Sequence, residues 1–304
     1  MLVSVIIPTY NRGKTIGRAV DSVLAQSWKS MEIIVVDSHS TDATGEVLAA
    51  YGDKIRLVHG ARRGPAAGRN VGIKAARGEV ISFLDSDDEW LPDKLERQMK
   101  LLEAGEAAGV KCCVCNARKE VADGSVTSFA IARLRPAQRE GVWFNPAEVL
   151  TTRFLFFNQV VAIRREVLEQ TGYFREDMPL NEDYDLALRL AVTGPWAFIA
   201  DPLVVWHEHA ENGSRAFGAL EICQSTLQIL NDLRSSSQFG PLLPAGLLRR
   251  RIRILNQTRT ALRISTGTNA VARWSGKCLL SYLRVCEALY RRSPSTPRMV
   301  TDAL

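Results

Sequence analysis

The stretch "FLDSDDEW", residues 83–90, sets Asp85, Asp87, Asp88 and Glu89 within five positions. They directly follow the mostly apolar run Val80–Leu84. Carboxylates crowded at the end of a buried strand repel one another and resist desolvation. A hard divalent cation such as Mg2+ or Mn2+ reverses that balance, because oxygen donors at this density are the ligands it prefers. Mg2+ in particular tends to bind one or two protein carboxylates together with substrate phosphates. An acidic turn ahead of a helix N-terminus, favoured by the helix dipole, would read the same way. Two further features narrow the choice. Asp37 ends a second apolar run, "EIIVV" at 32–36, and "GARRGPAAGRN" at 60–70 supplies Arg62, Arg63 and Arg69 among glycines. Flexible backbone with guanidinium groups suits a pyrophosphate, although the same composition can be a plain turn. Together these features suggest a nucleotide-diphosphate ligand.

Elements that would position these residues can be read from periodicity. Val3–Ile7 and Glu32–Val36 are short β-branched runs of the kind that form buried parallel strands, and Ile55–Val58, Val80–Leu84 and Val110–Cys115 read as further strands. Helices are expected between them. The first is capped by Asn11 or Thr15 and runs through Ser27, the second reaches about Tyr51, the third opens at Val71, and the fourth runs from Pro92 to about Glu103. Strands alternating with helices predict a doubly wound α/β sheet, in which ligands sit at the carboxyl ends of the strands. Asn11, Asp37 and Asp85 each follow a strand end, so they should line one crevice. Residues 120–160 read as a more irregular insert, with a strand at Gln159–Ile163 and a helix over Arg165–Thr171. "GYFRED" is a turn, Asp183–Thr193 an amphipathic helix, and Phe198–Ala200 and Leu203–Trp206 are short strands. Beyond Ser214 the chain turns helical and rich in Arg, with breaks near 235–244 and 265–269.

Four segments stand in order: "VSVIIPTYNR" from Val3, "IIVVDSHSTD" from Ile33, "GPAAGRNVGIKAARGEVISFLDSDDEWLPDKL" from Gly64 and "NEDYDLALRLAVTG" from Asn181. Jointly they resemble the family-2 glycosyltransferases over roughly residues 1–215. The resemblance implies the GT-A nucleotide-diphospho-sugar transferase fold, a Rossmann-like, mostly parallel sheet flanked by helices. It implies a catalytic domain at 1–214, followed by a helical C-terminal extension at 215–304. By the same resemblance, Pro8, Thr9, Tyr10 and Asn11 lie under the nucleotide, and Asp37 binds the base, usually uracil. Arg69 and Asn70 stand beside the ribose and phosphates. Asp85 and Asp87 match the DxD motif, Asp87 as the metal ligand and Asp85 nearer the ribose. Asp183 matches the general base of inverting members, with Glu182 positioning the acceptor. His209 in "WHEHAENGS" matches a late histidine of the metal or diphosphate site. The implied cofactor is Mn2+ or Mg2+. Ser38 and His39 depart from the family's usual "VDDGS", which bears on the base contacts, and His207 stands where an Arg is common. Taken as isolated residues, Asp183 could simply cap a helix, and His207 and His209 could be edge-strand polar residues.

The bulk numbers set bounds. The 304 residues are 46% hydrophobic with a net charge of +6. From Arg215 onward there are 14 basic and 4 acidic residues, a balance of +10, whereas residues 1–214 carry 25 against 29, a balance of −4. The basic helices, with a stripe of Leu279, Leu280, Leu283, Cys286 and Leu289 beside Arg284, Arg291 and Arg292, could meet an anionic membrane surface or pack on the catalytic domain or a second subunit as a homodimer. A lipid-linked glycan acceptor would make membrane contact useful. Cys112, Cys113, Cys115, Cys223, Cys278 and Cys286 show no disulfide framework and no zinc spacing, which fits a reduced, cytoplasmic setting, and the basic helices would add peripheral contact at the inner face of the membrane. No signal peptide and no 18-residue apolar window are expected. No aromatic-basic module supports a nucleic-acid partner. Trp90, Trp143 and Trp206 read as packing residues, although Trp143 and Phe156 could stack on an acceptor sugar. A nucleotidyltransferase would want a Gly-rich, Lys-bearing loop right after the first strand, where "PTYNRGKT" offers only Gly13 and Lys14. A non-catalytic nucleotide-sugar-binding module would lack the DxD acids or the base, and both are present.

Overall fold

The computed structural model describes residues 1–60, 63–121, 124–153, 157–207 and 217–267. They fall into two compact units, one of residues 1–146 and 157–207, the other of residues 147–153 and 217–267. The first unit begins with β1 (Val3–Thr9), α1 (Ile16–Leu24), β2 (Met31–Asp37), α2 (Thr44–Ala49), β3 (Arg56–His59), α3 (Pro65–Ala75) and β4 (Val80–Phe83). β1 pairs in parallel with β2 and β4, and β2 pairs in parallel with β3. Val5, Ile6, Ile7, Ile34 and Val35 are fully buried, as expected for runs covered on both faces. Each such side chain contributes about 1.5–3 kcal/mol through its removal from water.

The chain continues through β5 (Glu89–Trp90), α4 (Lys94–Ala104), β6 (Cys112–Val121), β7 (Gly124–Thr127), α5 (Ser128–Ala132), β8 (Glu140–Trp143), α6 (Pro146–Thr152), β9 (Val161–Arg164), α7 (Arg165–Thr171), α8 (Glu182–Ala191) and β10 (Trp196–Trp206). Among the described residues ten strands form one sheet of order β3-β2-β1-β4-β9-β6-β10-β5, with β7 on β6 and β8 on β10. β9 is antiparallel to both β4 and β6, and β10 is parallel to β6. The carboxyl ends of β1, β2, β4, β6 and β10 therefore open onto the same rim.

Several elements differ from expectation. The "GPAAGRN" segment is not a loop. α3 starts at Pro65, whose fixed φ suits a first helical turn, behind Gly64 at φ 88°. Its glycines serve proximity rather than flexibility. A Cβ on Gly72 would lie 2.3 Å from Ile6 Cγ2, so only Gly lets α3 seat against β1. Gly72→Ala is expected to cost about 1–3 kcal/mol from overpacking. Calorimetry would show this as about 2–4 °C of melting temperature per kcal/mol, and an unchanged midpoint would contradict the close seating. The insert at 120–160 is ordered into β7, α5, β8 and α6 rather than irregular. The two late strands are one, β10, with register shifts around Pro202, which has no N–H for the ladder. Trp143 is 2% exposed and stacks on Phe198 at 5.2 Å, so it packs the core and is no acceptor platform. Trp90 is likewise buried.

Lys94 is fully buried, with its ammonium 3.7 Å from the Trp90 ring centre and bonded to Gln98 Oε1 at 2.8 Å. Burial pulls its pKa down to about 8. Burial also pushes the Cys112, Cys113 and Cys115 thiols up, so these cysteines are unreactive packing groups.

In the second unit, α9 (Ala219–Ser235) packs on α10 (Ala245–Gly267), joined across the break expected near 235–244. Cys223 Sγ lies 3.3 Å from Leu255 O in the buried seam. The stripe at 279–292, Cys278 and Cys286 lie outside the described residues. No helix among the described residues is long and apolar enough to cross a membrane.

Candidate active site

At the β1 and β2 ends, Thr9 and Asp37 are register partners on adjacent strands. Thr9 is 4% exposed, and its hydroxyl has no hydrogen-bond partner among the described residues. Tyr10 is 45% exposed. Asn11, at φ 51°, accepts from Thr41 N at 2.8 Å and donates its own N–H to Ser40 Oγ at 2.9 Å. Asp37 is buried and accepts from the Ser40 hydroxyl at 2.5 Å and the Ser40 N–H at 3.2 Å. Ser40, absent from the residues singled out in the sequence, thus joins Asn11 to Asp37. His39, at φ 61°, stacks on His59 with ring centres 6.3 Å apart. Pro8 lies against α3, where a Cβ on Gly68 would come within 3.2 Å of the Pro8 Cβ. Asn11, His39 and Asn181 all adopt positive φ, a conformation that for non-glycine residues is held at a cost by its surroundings and tends to cluster at functional sites.

Asp85, Asp87 and Asp88 lie in the turn between β4 and β5 and Glu89 opens β5, all ahead of α4 and outside its first turn. They are therefore not an acidic helix start. Asp88 is 1% exposed and accepts from His207 N at 3.0 Å and Gln159 Nε2 at 2.8 Å. The Gln159 amide also donates to Asp85 Oδ2. Burial, then the neighbouring Asp85 and Asp87 charges, push Asp88 well above the usual carboxylate range. Burial raises Asp85 too, against the opposing pull of Arg69. Asp87 faces the loop after β1, with its Oδ2 3.7 Å from Arg12 Nε, while its carbonyl accepts from Arg18 at 2.6 Å.

Arg69 on α3 is 4% exposed and joins the two acidic groups. One terminal nitrogen donates to Asp85 Oδ1 at 2.7 Å, the other to Glu182 Oε1 at 2.9 Å. Its guanidinium also lies over the Phe174 ring at 5.4 Å. Burial works against the Arg69 charge, but Asp85 and Glu182 outweigh it and hold the proton more firmly. Asn158, its amide oxygen turned toward Arg69 to satisfy the hydrogen-bond network, accepts from both terminal nitrogens at 3.1 and 3.2 Å. α8 begins at Glu182 with Asn181 in the cap position, so Asp183 lies inside the first turn rather than capping the helix. Its carboxylate accepts from Tyr184 N at 2.8 Å. Burial, then the adjacent Glu182 charge, push Asp183 up to about 7, with Arg69 opposing.

Asn70 points elsewhere. Its amide donates to Phe174 O and Glu176 Oε1, both at 2.9 Å, and its oxygen accepts from Phe174 N at 3.0 Å. Arg189 on α8 ties the same loop down through Thr171, Gly172 and Tyr173 carbonyls, with Asp185 as its counter-ion. Asn70 and Arg189 therefore lock α3 and α8 in relation to each other. His207 pairs with Glu89 at 2.7 Å. His209, Arg62 and Phe156 lie outside the described residues.

Among the described residues no cluster of three His, Cys, Asp or Glu side chains could hold a metal alone. Asp85 and Asp87 instead offer hard oxygen donors in a turn where burial and the crowding of like charges both raise the Asp88 carboxyl. Such a set fits a cation that takes one or two carboxylates and completes its shell with substrate phosphates.

A model of "Glycosyl transferase family 2" matches residues 4–169. The chain is 38% identical over 219 residues to the succinoglycan biosynthesis protein ExoO of Rhizobium meliloti, covering 70% of this chain and 62% of that one. It is 33% identical over 224 residues to the amylovoran biosynthesis glycosyltransferase AmsB of Erwinia amylovora, covering 71% and 72%. It spans only 35% of the length of the glycosyltransferases of Rickettsia felis and Rickettsia conorii that it also matches. Among solved structures, S. aureus TarS 1-349 in complex with UDP-GlcNAc superposes with a TM-score of 0.67 at 20% identity, covering 85% of this chain and 73% of that one. The α/β sheet is thus of the GT-A type.

Proposed function

The chain belongs to glycosyl transferase family 2, and from that premise we propose that it is an inverting, divalent-metal-dependent transferase. It would move a sugar from a nucleotide-diphospho-sugar, specifically a UDP-sugar, to an acceptor hydroxyl in bacterial polysaccharide or glycoconjugate assembly. The observation that carries this is the continuous line from Asp85 through Arg69 to Glu182, with a carboxyl poised at about 7, Asp183, at its end. A carboxylate of that basicity is suited to take a proton from a sugar hydroxyl near neutral pH. As the Asp183 carboxylate removes that proton, the acceptor oxygen bonds to the anomeric carbon from the face opposite the departing diphosphate, so the configuration inverts. Glu182, held by Arg69, orients the acceptor.

Asp37, Thr9, Tyr10 and Asn11 form the end of the crevice suited to the nucleoside, with the unpartnered Thr9 hydroxyl and the Asp37 carboxylate as its polar contacts. Asp85 and Arg69 lie between that end and the base. Asn70 contributes by fixing α3 rather than by touching the ribose. Asp87, with Asp85 and His209, would hold Mn2+ or Mg2+, which supplies charge neutralisation on the leaving diphosphate. The relatives named for succinoglycan and amylovoran biosynthesis support a polysaccharide acceptor, and the UDP-GlcNAc complex of TarS supports the choice of UDP. The exposed Arg249 and Arg253 of α10, in a stretch without acids from Leu233 to Cys286, favour contact with an anionic lipid surface at which a lipid-linked acceptor would be presented.

Titration calorimetry with UDP, with Mn2+ or with chelator, tests the site. Tight binding only with Mn2+, lost at least tenfold in Asp87→Ala, is the expected result. Preference for another nucleotide would trace to Ser38 and His39 and redraw the donor. Binding of UDP-sugars without turnover in the presence of acceptor polysaccharide fragments would indicate a non-catalytic module. Absence of any nucleotide binding would overturn the proposal.

A further inference from the structure

Gln159 sits in the turn 158–160 that leads into β9, the antiparallel strand inserted between β4 and β6. It is 3% exposed. Its side-chain nitrogen donates to Asp85 Oδ2 and to Asp88 Oδ2, the latter at 2.8 Å, while its backbone carbonyl accepts from Trp90 Nε1 at 3.0 Å. One amide thus grips the first and last acids of the Asp85–Asp88 turn, and one carbonyl fixes the strand that leaves it. A primary amide is the uncharged side-chain group able to donate two hydrogens from one nitrogen, so it can bind two carboxylates at once without adding charge. Its neighbour Asn158 does the complementary work, turning its amide oxygen to the Arg69 guanidinium. Two adjacent amides therefore brace the cation and the anions of one buried network, where an unmade bond is costly.

We infer that Gln159 is a positioning residue of the acidic turn: by holding Asp85 and Asp88 it fixes the direction in which Asp87, between them, meets a cation and the diphosphate it accompanies. Asp87 has no bond to Gln159 and faces the loop after β1, at Arg12. Without the brace, Asp85 and Asp88 lose their shared donor and keep Arg69 and the His207 N–H, so the turn holds its middle acid less firmly. The inference rests on the metal-dependent transferase reading above.

The test compares UDP affinity with Mn2+ and with chelator in wild type, Gln159→Met and Gln159→Asn, each checked for a cooperative thermal transition. Methionine keeps the length and removes both donors. Asparagine keeps the amide but is one methylene too short to reach both acids. Gln159→Met is expected to lose at least tenfold of the affinity gained from Mn2+ while its affinity in chelator stays within about threefold of wild type. Gln159→Asn should fall between the two, and it carries the test alone if the methionine variant does not fold. A gain from Mn2+ equal to wild type in either folded variant overturns the inference. So does an equal fall with and without metal, since a general loosening of the fold lowers both. A wild-type protein that binds UDP equally with and without Mn2+ would instead remove the metal-dependent reading itself.

Discussion

Asp183→Asn is expected to lower the transfer rate by about 10³-fold or more, at the upper end of what a positioned base contributes. UDP affinity should stay within about threefold of wild type. The amide keeps the shape and can still accept from Tyr184 N, so the first turn of α8 remains in place. What disappears is a carboxylate whose proton affinity burial has raised to about 7. The wild-type rate at low substrate should accordingly rise with pH up to about 7 and level off above it, because only the ionised form accepts the proton. Stability should move the opposite way. A carboxyl whose folded pKa lies above its unfolded value binds more protons in the folded state between the two, so its contribution is present below about 4 and lost as pH rises through about 7. Asp183→Asn should therefore gain melting temperature relative to wild type at pH 8 but not at pH 4. A variant that keeps transfer activity above a tenth of wild type would remove Asp183 from the role of base. A variant that also loses UDP binding would show that the substitution has damaged the crevice rather than the chemistry.

Arg69→Met should be the most damaging single substitution for stability. The guanidinium is the common counter-ion of Asp85 and Glu182 and the donor to Asn158. Its removal leaves the partly exposed Asp85 and Glu182 carboxylates without their counter-ion, at a cost below the roughly 3–5 kcal/mol typical of a fully buried pair. Chemical denaturation would report that loss as a lower midpoint with an unchanged slope. Because Arg69 also lowers the Asp183 pKa, any residual activity should show its alkaline rise at higher pH than wild type. A midpoint equal to wild type would mean that the charged line through α3 holds nothing together. Arg69→Lys keeps the charge without the fork and should recover part of the stability but not the two-sided geometry.

The sheet's parallel half was legible because β1 and β2 are continuous β-branched runs between helices, a pattern with few alternatives. The acids at the strand ends followed from it. The start of α3 was not legible. Glycine and proline in "GPAAGRN" signal a break by local propensity, yet Gly72 is required by the nearness of Ile6, a tertiary cause invisible in the window itself. Asp183 was recognised through its family pattern, whereas its raised pKa depends on burial beside Glu182, which no spacing reveals. Ser40 and Gln159 gave no signal. A Ser in a turn and a Gln at a strand start are ordinary, and their roles come from partners 29 and 74 positions away. Asn70 was placed beside the ribose and phosphates by its match to the family's motif pair, whereas its side chain bonds the 174–176 loop, because successive side chains on a helix point about 100° apart.

The insertion of β9 between β4 and β6 also bears on how the protein comes into being. β1 to β4 are contiguous in the chain and can pair as soon as they are made. The acidic turn at the end of β4 cannot take its final form until β9 has docked antiparallel beside β4 and brought in Gln159, 74 residues beyond Asp85. Closing so long a loop costs entropy that no local contact offsets on the way. During synthesis at roughly 5–20 residues per second, several seconds therefore separate the making of β4 from the making of the strand that completes its acidic turn. In that interval the exposed flank of β4 is an unpaired sheet edge, and β9 is the segment that closes it.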